Sequence, residues 1–227
     1  MKFGVLFSGG KDSTYAAWLA SQRGQLACLI TMLPKSESSY MFHFPNAKWT
    51  KLQAEAAGVP HVAHFTEGVK EEELRDLREA LTLAKNRFGI DGVYTGALAS
   101  FYQKSRVEGV CEGLGLACLS PLWGTNQEEH LARLVRDGFV AMIVSVSALG
   151  LGKDWLGRVI DSQAAAELSR LGRKYGFNAA LEGGEGETFV LDSPLFEKRI
   201  EVTKSEKRWD GESGMLLIKR ACTVPKA

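Results

Sequence analysis

Through roughly the first half of the chain, short apolar runs alternate with longer stretches in which apolar residues return every three or four positions. The runs "FGVLF" (3–7), "LACLITML" (26–33), "HVAHF" (61–65) and "DGVYTG" (91–96) read as strands. Helices are predicted near 12–23, 47–57, 70–87 and 99–114. Strand and helix in strict alternation at this spacing predict an α/β fold with a parallel sheet covered on both faces. Such a Rossmann-like sheet takes its ligands at the carboxyl ends of its strands.

From about residue 124 the rhythm changes. "GTNQEEHLARLVRDG" reads as a polar-faced helix, "FVAMIVSVSA" as a strand and "DSQAAAELSRLGRKYG" as another helix, while the tail from Lys198 to Ala221 reads as two strands joined by "DGESG". The pattern predicts two units, 1–123 with the parallel sheet and 124–227 as a second, smaller α/β domain.

Composition adds exclusions. Nothing apolar is long enough to span a bilayer, and the start of the chain enters a strand pattern without a signal-peptide core, so a cytoplasmic protein with no membrane partner is expected. The 28 Lys and Arg nearly balance the 27 Asp and Glu, and each half is balanced on its own, so no direct nucleic-acid binding is expected. The basic residues Lys198, Arg199, Lys204, Lys207 and Arg208 alternate with Glu197, Glu201 and Glu206 and read as a solvated strand face. Cys28, Cys111, Cys118 and Cys222 form no metal-finger or C-x-x-C spacing and read as free thiols.

The chemistry concentrates in "VLFSGGKDST" (5–14). After a buried strand, Gly9 and Gly10 allow a tight bend in which backbone N–H groups converge, and the helix that follows adds its positive end. That turn suits phosphate. Lys11 would place a point charge on the oxygens, Ser8 and Ser13 would donate hydroxyls, and Asp12 would be a metal ligand for Mg²⁺ bridging them. The spacing is not that of a Walker A loop, since Asp12 stands where Ser or Thr would follow Gly-Lys. "SGGKDS" instead resembles the PP-loop of the N-type ATP pyrophosphatases, an adenine nucleotide alpha hydrolase-like fold that grips the pyrophosphate end of ATP.

Four further stretches, "YMFHFPN" (40–46), "GALASFYQKSRVEGVC" (96–111), "SPLW" (120–123) and "EGGEGET" (182–188), make the chain similar to the diphthine:ammonia ligase family. Gly186 departs from the aromatic that many relatives carry there. The resemblance implies ATP-dependent amidation of diphthine on elongation factor 2 with ammonium, as the last step of diphthamide biosynthesis.

Each stretch also has its own chemistry. Met41, Phe42 and His43 follow the second strand and suit an adenine, or merely cover the core. Gly96 permits close backbone approach, and Ser100, Gln103 and Arg106 recur at helical spacing, which predicts a face toward ribose and phosphates or a solvated face. In "EGGEGET", Glu182, Glu185 and Glu187 stand among Gly183, Gly184 and Gly186 and before Thr188, so mutual repulsion calls for a cation. Mg²⁺, ammonium or the trimethylammonium of diphthine would serve, the last against Trp123, Trp155 or Tyr102 unless those rings are core. An exposed acidic loop without a ligand is the alternative.

The expected mechanism has the substrate carboxylate attack the α-phosphorus, with Lys11 and Asp12 at the leaving pyrophosphate, and ammonia then displace AMP. Glu185 or Glu187 would take the proton from ammonium. With Lys2 rather than an N-terminal cysteine, and no stretch for a glutaminase domain, the ammonia is expected from solution. A PP-loop enzyme modifying tRNA and a non-catalytic ATP-binding module are the rival readings. An open cleft for a protein substrate is compatible with a homodimer without requiring one.

Overall fold

The first apolar run forms β1 (Lys2–Leu6), whose central residues are buried, and the chain turns at once into α1 (Lys11–Arg23). The computed structural model describes residues 1–34, 46–67 and 72–226. β2 (Gln25–Pro34) carries six consecutive buried residues, as a strand covered on both faces must. A single 3₁₀ turn (Ala47–Trp49) then leads into α2 (Thr50–Ala56), so the helix expected near 47–57 is divided at its start. β3 (His61–Thr66), α3 (Glu72–Phe88), β4 (Gly92–Tyr94), α4 (Phe101–Glu112) and β5 (Ala117–Leu119) complete the alternation.

These five strands pair in parallel, in the order β3-β2-β1-β4-β5. The chain runs outward from β1 through β2 to β3 and then returns to β4 on β1's other side. The point where direction reverses is the crevice between β1 and β4, where such sheets bind ligands. One face is covered by α3 and α4 through Leu77, Leu81, Val107 and Cys111, packed on Ile30 and Val93. The other face packs Phe3, Val5 and Leu29 against Ala17 and Ala20 of α1.

In the second half, α5 (Gln127–Arg136) starts where the side-chain Oδ1 of Asn126 accepts the N–H groups of Glu128 and Glu129. α6 (Ser162–Tyr175) is capped by Asp161 and ends at Gly176, whose φ of 78° needs glycine. Between and after them lie β6 (Val140–Val146), β7 (Gly186–Asp192), β8 (Lys198–Trp209) and β9 (Gly214–Pro225). They form an antiparallel sheet in the order β7-β6-β9-β8. The mixed basic and acidic run is edge strand β8, largely exposed, where Glu206 pairs with Arg208 at 3.1 Å and Lys219 at 3.0 Å.

One apolar cluster joins the halves. Tyr15, Leu98 and Leu122 share it with Leu131, Phe139, Ile143, Leu168 and Phe189. The second sheet therefore packs on α1, the end of α2 and the loops after β4 and β5, with β7 laid against the start of α1. Among the described residues no helix is long and apolar enough to cross a membrane.

Candidate functional site

A cavity of about 480 Å³ opens at the carboxyl ends of β1, β2 and β4. Its floor is the turn after β1. Gly9 adopts a φ of 80°, and a side chain there would stand 2.1 Å from Gln53 Oε1. Gln53, fully buried, donates from Nε2 to the carbonyls of Gly9 (2.8 Å) and Val190 (2.9 Å), and Val190 N–H also donates to Gly9 O at 3.0 Å. The turn is thus held from behind by α2 and β7. Gly9 itself faces away from the cavity, while Ser8, Gly10, Lys11, Asp12 and Ser13 line it.

Among the described residues no side chain caps the start of α1, which leaves its helix N-terminus directed at the cavity. Lys11 N–H is the exception, donating to Thr188 Oγ1 across 3.0 Å. That bond joins the two motifs, since Thr188 ends "EGGEGET". The stretch is loop only as far as Glu185, for β7 begins at Gly186. Gly183 and Gly184 take φ of 82° and 95°, and Leu181 just before them holds φ at 60°, strained for a leucine. Glu182, Gly183, Gly184, Glu187 and Thr188 line the cavity opposite Lys11 and Asp12.

Glu185 does not. Its Oε1 accepts the Asn178 N–H at 3.3 Å, its backbone carbonyl accepts the Ser147 N–H at 2.9 Å, and Oε2 is buried without a partner among the described residues. It holds the loop from behind, because adjacent glutamates at 185 and 187 are separated by the turn into β7. The expected trio of carboxylates is therefore a facing pair and one supporting group.

The charges within the cavity perturb one another. Burial pushes the Glu187 carboxyl up to about 8, with the Lys11 ammonium opposing and Asp12 and Glu182 adding to the rise. Burial likewise raises Glu182 to about 7, reinforced by Asp12 and opposed by Lys11. Asp12 moves the other way. Burial would raise it, but the Lys11 ammonium and the hydrogen bond and charge of His130 together hold it below the ordinary carboxylate value. Its Oδ2 accepts from Lys11 Nζ at 2.7 Å and its Oδ1 meets His130 Nε2 at 2.6 Å. Both oxygens of this expected metal ligand have a protein partner.

His130 is the residue that sequence reasoning missed. It sits on α5, fully buried, and reaches the phosphate turn only because α5 packs on α1. The available signal was its place on the apolar side of "EEHLARLV", where a histidine is unusual.

On α4, Ser100 both caps the helix, accepting the Gln103 N–H at 3.4 Å, and lines the cavity with Gln103, Lys104 and Val107. Arg106 does not join them. It lies about 120° around the helix from Ser100 at 100° per residue, and it borders a separate hollow with Arg75 and Arg78, over the Tyr102 ring. Gly96 is where the chain passes closest to α1: a side chain there would stand 2.6 Å from Ser13 N. Its close approach is to backbone.

None of the three proposed cage rings lines the cavity. Trp123 is 37% exposed beneath Lys104 Nζ, 5.1 Å from its centroid, and Trp155 is core, stacked by Arg158 at 4.3 Å. Met41, Phe42 and His43 lie outside the described residues. Cys111 and Cys118 come together although the sequence separates them. Their hydrogen bond, with burial, drives Cys111 up, while the same bond lowers Cys118 against the effect of burial; neither thiol lines the cavity.

Among the described residues no set of three His, Cys, Asp or Glu stands ready to hold a metal. The arrangement can, however, grip an anion at the turn and a cation at Glu182 and Glu187 within one space.

Comparison with known proteins is consistent in both halves. Residues 1–118 match the family model for the diphthamide synthase N-terminal domain, and residues 127–224 that for its C-terminal domain. A human protein named diphthine–ammonia ligase is 37% identical over 91% of this chain and 84% of its own length. The Danio rerio protein of that name is 34% identical over 88% and 86%, and the fission yeast one 34% over 100% of this chain but 40% of itself. A solved structure described as a predicted tRNA methyltransferase subunit from Methanocaldococcus jannaschii, at 18% identity and a TM-score of 0.47 over 86% of this chain and 98% of that one, is too loose a likeness to bear on function. Matched in both halves and over most of the human relative's length, the chain belongs to the diphthine–ammonia ligase family, whose members are amide-forming ligases.

Proposed function

We propose that this protein uses ATP to activate the carboxylate of diphthine on elongation factor 2 and amidates it with ammonia, releasing AMP and pyrophosphate. The observation that carries the reading is the single cavity shared by "SGGKDS" and "EGGEGET", tied by the Lys11 N–H to Thr188 hydrogen bond. In this reading residues 1–123 bind ATP, and 124–227 bring the acceptor motif over it.

The residues present suit ATP. The uncapped start of α1, Lys11, Ser8 and Ser13 face the phosphates, while Ile30 and Met32 offer apolar surface within the same cavity for the base. They also suit Mg²⁺, which takes one or two carboxylates plus phosphate oxygens rather than a full protein cage. Asp12 and Glu182 or Glu187 would hold it, and the ion would neutralise charge developing on the leaving pyrophosphate.

The acceptor carboxylate attacks the α-phosphorus, and the α–β bond breaks. Lys11, 2% exposed and steadied by Asp12, stabilises the charge on pyrophosphate. Ammonia then attacks the acyl carbon of the enzyme-held acyl-adenylate and AMP departs. Glu187, whose carboxyl burial raises to about 8, is matched to accept a proton from ammonium near neutral pH, whereas Glu185 is committed to the loop.

The test incubates the protein with diphthine-bearing elongation factor 2, ATP, Mg²⁺ and increasing ammonium. Mass spectrometry should find carboxamide formed one for one with AMP. No amidation at any ammonium level, or ADP as the principal nucleotide product, overturns the reading.

A further inference from the structure

His130 is an expensive residue for the place it occupies. Its side chain is wholly buried among apolar neighbours, with the Tyr15 ring edge-on at 5.7 Å between centroids. Only one of its two nitrogens is used. Nε2 lies 2.6 Å from Asp12 Oδ1, while Nδ1 is buried with no hydrogen-bond partner among the described residues. A histidine kept for packing alone would be better replaced by Leu or Phe, since an unpaired buried polar atom costs stability.

What the residue supplies is direction. Asp12 stands in the first turn of α1 with two oxygens and two partners, His130 at Oδ1 and Lys11 Nζ at Oδ2. Without His130 the carboxylate can rotate about its own bond, and either oxygen can meet the ammonium. With it, one oxygen is pinned from behind by α5, 118 residues away, and the other is turned to Lys11. Because the Asp12 carboxylate can only accept, Nε2 carries a proton, while Nδ1 faces apolar surroundings.

We propose that His130 is a positioning residue of the ATP site, fixing the rotamer of Asp12 and through it the place of the Lys11 ammonium when the α–β bond opens. The proposal rests on the reading of the cavity as an AMP-forming ATP site. His130 touches no substrate. Its effect is on the arrangement that stabilises the leaving group, so it should be felt in turnover more than in ATP affinity.

The test compares His130→Gln, which carries an amide N–H to about the reach of Nε2, with His130→Asn, which carries it only as far as Nδ1, and His130→Leu, which has none. His130→Leu and His130→Asn should lower kcat roughly 10- to 100-fold, the range for losing one hydrogen bond to a charged group, with KM for ATP within about threefold of wild type. His130→Gln should recover to within about fivefold of wild type, because it restores that bond. Urea midpoints should not follow this order, the leucine variant being at least as stable as the asparagine one. Nitrogen NMR of isotopically labelled histidine in the wild-type protein should show His130 with its proton on Nε2. Equal kcat for the glutamine and asparagine variants, or a proton on Nδ1 with Nε2 bare, overturns the proposal even if the leucine variant fails to fold. A wild-type protein that makes no AMP refutes the ATP reading instead, and the NMR signature still decides whether His130 grips Asp12.

Discussion

Replacing Glu187 by Gln should stabilise the ligand-free protein by an amount that grows with pH. Burial, aided by the charges of Asp12 and Glu182 against that of Lys11, raises the carboxyl from its ordinary 4.5 to about 8. Between those values the native state keeps a proton that the unfolded chain has released. Stability contributed by this group therefore falls as pH rises from 4.5, and the whole cost is present above about 8. At roughly 1.4 kcal/mol per pH unit the interval bounds the cost at about 5 kcal/mol. The side chain is only partly buried, and solvent and protein relaxation screen it, so the expected effect is on the order of 2 kcal/mol. The assay is urea unfolding with chelator and without nucleotide, at about pH 5 and about pH 8.5, comparing how much stability each protein loses between them. Wild type should lose more than Glu187→Gln by that amount. If the two lose stability in parallel to within about 0.5 kcal/mol, the basicity of Glu187 is not raised by its surroundings and its assignment as the proton acceptor loses its physical basis.

Other substitutions follow from the same geometry. Glu187→Gln should cut amidation by roughly 100-fold or more, whereas Glu185→Gln, which keeps its oxygen on the Asn178 N–H, should cost less than about 10-fold, as measured by carboxamide formation at saturating ATP. Gly9→Ala forces a side chain into Gln53 at a φ of 80°, and should cost at least about 2 kcal/mol in urea unfolding and abolish detectable ATP binding by calorimetry. Thr188→Val removes the acceptor of the Lys11 N–H and should cost about 1 kcal/mol while raising KM for ATP, read from unfolding curves and initial rates.

How far the chain could be read in advance depended on whether a feature is contiguous. "SGGKDS" lies within six residues directly after a strand, so its shape and chemistry were visible together. The longer strands and helices were visible because each repeats its pattern over several residues. β5 was not, because none of its three residues is fully buried, unlike those of the equally short β4, and β7 was hidden because "EGGEGET" presents glycines and carboxylates where a strand begins. The pairing of Lys11 with Thr188, and of Asp12 with His130, spans 177 and 118 residues and depends on how the second sheet packs on α1. Local spacing carries no information about such contacts. Arg106 shows the same limit within one helix: six residues place it a third of a turn from Ser100, and the neighbouring α3 determines which face counts. Glu185 and Glu187 look equivalent in sequence, and only the turn into β7 separates a supporting carboxylate from a facing one.

The central claim is that this cavity opens the α–β bond of ATP by attack of the acceptor carboxylate itself. It is tested most directly by enriching the diphthine carboxylate of elongation factor 2 with heavy oxygen, running one turnover with ATP and ammonium, and following the label by mass spectrometry. Attack through an acyl-adenylate transfers one labelled oxygen from each amidated carboxyl to the phosphate of AMP. Label found in inorganic phosphate with ADP as co-product, or AMP formed without any label while the amide accumulates, contradicts the account.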